Sequence, residues 1–225
     1  MERLQSLPQS TVGKKILMAA TGIVLVLFVV VHMLGNLKVY LGAQHFNEYA
    51  RFLRTVGAPA IPENGVLWIA RVVLLLCVGV HVWAAIALTR TSWGARPGRY
   101  AKGNDLAFSY ASRTMRWGGV ILTAFVIFHL LHLTTGTVHP DFREGDAYHN
   151  FVVGFSSVPV AIAYVVAMAA LAFHLYHGAW SATQTLGIDN PRFERFRRPA
   201  ALGIAVVVFL GNVSFPLAVL AGVIK

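Results

Sequence analysis

From Ile16 to Leu37 the chain runs through 22 mostly apolar residues without one Lys, Arg, Asp or Glu. About 20 such residues cross the hydrocarbon of a bilayer as a helix. No water is available there to satisfy the backbone, so a helix is the form this run must take. The pattern recurs four more times and predicts spans at about 14–36, 65–88, 117–137, 158–185 and 199–224. Only 12% of residues are charged and 56% are hydrophobic, with a mean hydropathy of +0.62, whereas a soluble domain carries about 25% charged residues. The expected fold is all-α: one membrane bundle of five transmembrane helices occupying residues 1–225. The first run is too long for a secretory signal and lacks a small-residue cleavage site.

The polar residues fall between these runs. The first fifteen residues are polar and basic, with Pro8 and Gly13 as breakers. Phe46, Tyr49, Phe52 and Leu53 recur at helical spacing among polar neighbours, which predicts an amphipathic helix on the membrane surface, ended by Pro59 and Pro62. Residues 90–116 and 189–198 read as basic loops, and 141–146 as a short acidic connector. Ser157 followed by Pro159 is a helix start. The N-terminus and the two basic loops hold 13 of the Lys and Arg residues; Lys38, Arg51, Arg54, Arg71, Arg143 and Lys225 make 6 on the other side. The positive-inside rule then places the N-terminus in the cytoplasm of a cell with the chain in its inner membrane. The net charge of +10 arises from these topology signals and from contacts with anionic lipid, so no nucleic-acid partner is expected. Trp68, Trp93, Trp117, Trp180 and Tyr40 near span ends read as interfacial anchors.

Histidines inside the spans are the unusual feature. His32, His81, the pair His129/His132 and the pair His174/His177 occupy four separate spans. Ionisable side chains in hydrocarbon are costly and usually functional. At about 1.5 Å per residue, His81 and His174 lie roughly 25 Å from the outer ends of descending helices, His32 roughly 25 Å and His129 roughly 18 Å from the inner ends of rising ones. His32 and His129 therefore belong to the outer half, His81 and His174 to the inner half. Imidazoles meeting in pairs from two helices suit an iron porphyrin with a ligand on each face, so the bundle is expected to bind two haems b. His132 and His177 each lie three residues after another histidine on the same helix face, and either member of each pair can be the ligand on this count. Gly35, Gly79, Gly118, Gly119 and Gly178 offer room for a macrocycle, and Lys38, Arg71, Arg113 and Arg116 lie near span ends where propionates would be. His45, His139 and His149, in the outer connectors, read more simply as surface groups. Cys77 alone makes neither a disulfide nor an iron–sulfur cluster. No Gly-x-Gly-x-x-Gly fingerprint for a flavin or nicotinamide is present, so chemistry needing them belongs to partner subunits.

The residues resemble a known family, the single-chain, five-helix, dihaem cytochrome b anchor of succinate dehydrogenases and fumarate reductases. The resemblance covers nearly the whole chain. It rests on Val31-His32-Met33-Leu34-Gly35-Asn36-Leu37, on Phe46-Asn47-Glu48-Tyr49-Ala50-Arg51-Phe52-Leu53-Arg54 and on Val80-His81-Val82-Trp83. Phe128-His129, Phe173-His174 through Ser181, and Gln184-Thr185-Leu186-Gly187 complete it. It implies an electron-transfer subunit of succinate:quinone oxidoreductase, with a flavoprotein and an iron–sulfur protein as partners and a quinone as acceptor, menaquinone in preference to ubiquinone. It implies further that the ligand follows Phe173, favouring His174 over His177, and that spacing from Gly119 favours His129 over His132. Pairing of the first with the third helix and of the second with the fourth agrees with the depths.

For the quinone, Ser112, Arg113, Arg116, His177, Trp180 and Gln184 are candidate contacts on the cytoplasmic side, and Glu48 or His45 a proton group on the outer side. Arg71 joins Arg113 and Arg116 as a candidate propionate partner. Competing readings are the same anchor in a quinol:fumarate reductase, the cytochrome b subunit of a hydrogenase or formate dehydrogenase, and a transporter. The last would favour carboxylates within the spans, and these spans have none.

Overall fold

The computed structural model describes residues 10–94, 106–187 and 191–225. These form seven helices: α1 Thr11–Asn36, α2 Ala43–Thr55, α3 Gly65–Gly94, α4 Leu106–His129, α5 Ala147–Ser156, α6 Val158–Thr185 and α7 Pro191–Leu220. A 3₁₀ turn, Leu37–Leu41, follows α1, and a π-helical turn, Leu130–Thr134, follows α4. Five segments are long and apolar enough to cross a membrane: Thr11–Leu41, Gly65–Gly94, Thr114–Thr134, Val158–Thr185 and Arg195–Leu220. No strand occurs among the described residues. The protein is an all-helical, multi-pass membrane bundle.

Several boundaries differ from the sequence reading, each for a local reason. Gly13, read as a breaker, lies in the first turn of α1, because Ser10 caps the helix by accepting from the Gly13 N–H at 2.9 Å. Arg90 belongs to α3, and Ser112, Arg113 and Arg116 belong to α4, so helix extends into what reads as a basic loop. Arg96, Arg99, Lys102 and Asp189 lie outside the described residues. Helix α7 starts at Pro191, eight residues before Pro199, since proline suits a first helical position. Pro199 and Pro216 sit inside it, where each removes one backbone bond from the ladder. Ser157 precedes α6 as expected, but its side chain makes no capping bond.

The first and third spans end on the same face of the bundle as the C-terminus, and α2 and α5 cover that face. Helix α5 has no counterpart in the sequence reading; Asp146 starts it by accepting from the His149 N–H at 3.0 Å. Asn47 of α2 ties the two cap helices together: its amide donates to Asp146 at 2.9 Å and its carbonyl accepts from the Tyr148 N–H at 2.9 Å. Phe46 packs on Phe151, which meets both Phe155 and Phe215, giving an aromatic plug with Met33, Val39 and Tyr164. The core continues along α6 and α7 through Ala167, Met168 and Val213, then Leu175, Ala205 and Val208. Leu27, Val31, Leu76, Ile127, Phe173 and Leu210 point outward, as a lipid-facing surface requires.

Candidate functional site

Helix packing fixes where the span histidines meet. Helix α1 runs beside α3, and α4 beside α6. The His32 ring lies 5.9 Å from that of His129, with planes at 86°. The His81 ring lies 6.1 Å from that of His174, with planes at 62°. His81 sits beside Met18 and Thr21, eleven residues before His32 on the same helix. The two pairs therefore occupy levels about 16 Å apart along α1.

The hydrogen bonds around the rings assign their protons. Thr21 gives its hydroxyl hydrogen to Leu17 O at 2.7 Å, which leaves its oxygen as an acceptor 3.3 Å from His81 Nδ1. Met18 O is a second acceptor, 3.1 Å from the same nitrogen. Nδ1 of His81 therefore carries the hydrogen and Nε2 keeps the lone pair, the arrangement in which a backbone carbonyl orients a ligating histidine. His129 Nδ1 contacts the Tyr164 hydroxyl at 3.2 Å. His174 Nδ1 is buried without a hydrogen-bond partner among the described residues, an unmet polar atom in a bundle interior. His32 stacks on Phe28 at 5.2 Å.

These residues fit the expected group. An imidazole nitrogen binds a transition metal at about 2 Å, so two imidazoles on one ion have ring centres about 6 Å apart. Crossed rings can both aim lone pairs at a point between them, which stacked rings cannot. A Cβ built at Gly79, Gly119 or Gly178 meets nothing within 4 Å, so no neighbouring side chain fills the space beside these three glycines. At Gly118 it would reach Ala170 O at 3.9 Å. Gly35 serves otherwise: the Tyr49 ring occupies the space a side chain there would need. Gly22, which the sequence reading passes over, lies where a Cβ would stand 3.3 Å from Cε1 of His81.

The alternative histidines pack on other rings. His132 is 1% exposed and stacks between Phe128 at 5.3 Å and His139 at 5.1 Å. His177 packs against the neighbouring Tyr176 ring. His139 and His149, read as surface groups, fasten the cap: His139 Nε2 donates to Asn150 O at 2.8 Å, and His149 Nε2 contacts the Asp141 carboxylate at 2.9 Å. His45 is exposed, and Glu48 accepts from Gln44 at 3.0 Å. Arg71 lies over Trp68 at 5.0 Å, Lys38 over Tyr49 at 5.4 Å and Arg116 over Trp93 at 5.5 Å. Arg198 covers Trp180 at 4.7 Å, and Gln184 is exposed. The side chains of Ser112 and Arg113 lie outside the described residues.

Residues 98–212, just over half of the chain, match the model of the succinate dehydrogenase/fumarate reductase transmembrane subunit family. The chain belongs to that family. It is a membrane subunit of an oxidoreductase complex and assembles with that complex's catalytic subunits. The matched region of this transmembrane subunit holds His129 and His174, one member of each facing pair. No curated protein and no solved structure matches the chain.

Proposed function

We propose that this subunit binds two haems b, the outer one between His32 and His129 and the inner one between His81 and His174. It carries electrons from an iron–sulfur subunit to a quinone, as the anchor of a succinate:quinone oxidoreductase. The observation that supports this reading is the meeting of four span histidines in two crossed pairs, 5.9 and 6.1 Å between ring centres, at two depths. A haem iron with two imidazole ligands supplies a one-electron carrier. The protein's part is to hold the rings at fixed depth and to orient His81 through Met18 O. The quinone is menaquinone in preference to ubiquinone. His177, Trp180, Gln184, Arg113 and Arg116 are its candidate contacts near the N-terminal face. Glu48 or His45 is a candidate proton group on the opposite face. The excess of Lys and Arg on the N-terminal side supports a cytoplasmic N-terminus in the inner membrane.

Affinity purification of the tagged chain from mild detergent tests the assembly. The expected preparation contains a flavoprotein and an iron–sulfur protein and reduces a quinone with succinate. The same composition running preferentially from quinol to fumarate makes the subunit the anchor of a fumarate reductase. Co-purification with a hydrogenase or formate dehydrogenase instead overturns the reading.

A further inference from the structure

The Tyr164 hydroxyl lies between two histidines of the helix facing it, 3.2 Å from Nδ1 of His129 and 3.0 Å from Nδ1 of His132. We propose that Tyr164 is a positioning residue for the outer haem ligand, oriented in turn by His132, so that the three side chains form a hydrogen-bond chain of fixed direction. This inference rests on the reading of His129 as a ligand.

The direction follows from counting hydrogens. A phenol has one to give and can accept others. If His129 binds iron through Nε2, its Nδ1 carries the hydrogen and donates to Tyr164. The Tyr164 hydrogen is then free only for His132, whose Nδ1 must accept it. His132 is held for that task. Its ring is clamped between Phe128 and His139. It also fills the space beside Gly154, where a Cβ would stand 2.8 Å from its Cε1. Its Nε2 is buried and has no partner among the described residues, where the ring's hydrogen bond is to Tyr164. The π-helical turn Leu130–Thr134 contains His132 and begins directly after His129; such turns recur at functional positions. A hydroxyl that donates to His132 is a better acceptor for His129, because hydrogen bonds in series strengthen one another. Tyr164 is 6% exposed, so water does not replace either bond.

The inner pair lacks this device. His81 gives its hydrogen to a backbone carbonyl that no side-chain change removes, which makes the inner haem an internal reference.

The test is a redox titration of both haems in the purified, intact complex, with the outer haem identified by its loss in His129→Ala. In Tyr164→Phe, both haems remain and only the outer midpoint potential rises, because His129 loses the acceptor that increases its donation to iron. His132→Leu moves the outer potential in the same direction. His132→Asn, whose carbonyl oxygen stands near the position of Nδ1, leaves it at the wild-type value. An unmoved outer potential in Tyr164→Phe overturns the proposal, as does an equal shift of both haems. Loss of the outer haem in Tyr164→Phe leaves the decision to the two His132 variants, where equal behaviour of Leu and Asn overturns it. A wild-type complex with no haem that His129→Ala removes fails the underlying reading instead, before any Tyr164 variant is compared.

Discussion

Gly22 of α1 stands against His81 of α3, so close that a Cβ at position 22 would lie 3.3 Å from the ring's Cε1. The same stretch of α1 supplies Met18 O, which orients that ring. Helix contact and ring orientation are thus set together. Gly22→Val is expected to push His81 off its line with His174 at a packing cost of about 1–3 kcal/mol. The purified complex should then hold one haem per chain in place of two, with the outer potential unchanged. Gly22→Ala, which asks the ring to give by only a few tenths of an ångström, should keep both.

His81→Ala and His174→Ala should each remove the inner haem and leave the outer one. His177→Phe should spare both, because that ring packs on Tyr176 whereas the His174 ring faces His81. Haem extraction against protein concentration reads all three. Loss of the outer haem in His174→Ala would show that the pairing is wrong.

Asn47 is the joint between the two cap helices, using both ends of its amide. Asn47→Ala leaves the Tyr148 N–H without its partner and removes a donor from Asp146, at about 1–3 kcal/mol. The expected result is a lower melting temperature of the purified complex with both haems retained, measured by thermal loss of the Soret band.

The Asp146 carboxyl is held below the ordinary aspartate value of 3.8, first by the His149 N–H and then by the Asn47 amide. Its folded value is lower than its unfolded one, so its contribution to stability is complete above 3.8 and is lost as pH falls through the folded value. Between neutral pH and pH 5 the cap should be insensitive to acid on this account. Below about pH 4 the wild type should lose melting temperature faster than Asp146→Asn, which has no such proton to take up. Equal slopes in the two proteins would contradict this.

Much of this was legible one-dimensionally. A run such as Ile16–Leu37 must be helical in a membrane, and the position of a histidine along such a run converts to depth. That conversion alone separates His32 and His129 from His81 and His174. It does not separate His129 from His132, three residues away on the same face; neighbours brought in by the fold do that, since His32 of α1 faces one and His139 of the following connector stacks on the other. Tyr164 carries no local signal, because a tyrosine in an apolar helix is ordinary until the opposing helix is in place. Gly22 is one small residue among many in α1. The cap helix α5, between the acidic connector and the span starting at 158, passes unseen because ten residues are too few to stand out as a span; the Asp146 cap is the signal that marks its start. The start of α7 at Pro191 is hidden by the arginines behind it, which suit a helix at a membrane interface as well as a loop.

The number of b-type haems per chain in the purified complex tests the central claim most directly. Reduced-minus-oxidised spectra and haem extraction should give two, falling to one in His129→Ala and to one in His174→Ala. A colourless wild-type complex made with ample porphyrin, or one that keeps both haems in these variants, would contradict it.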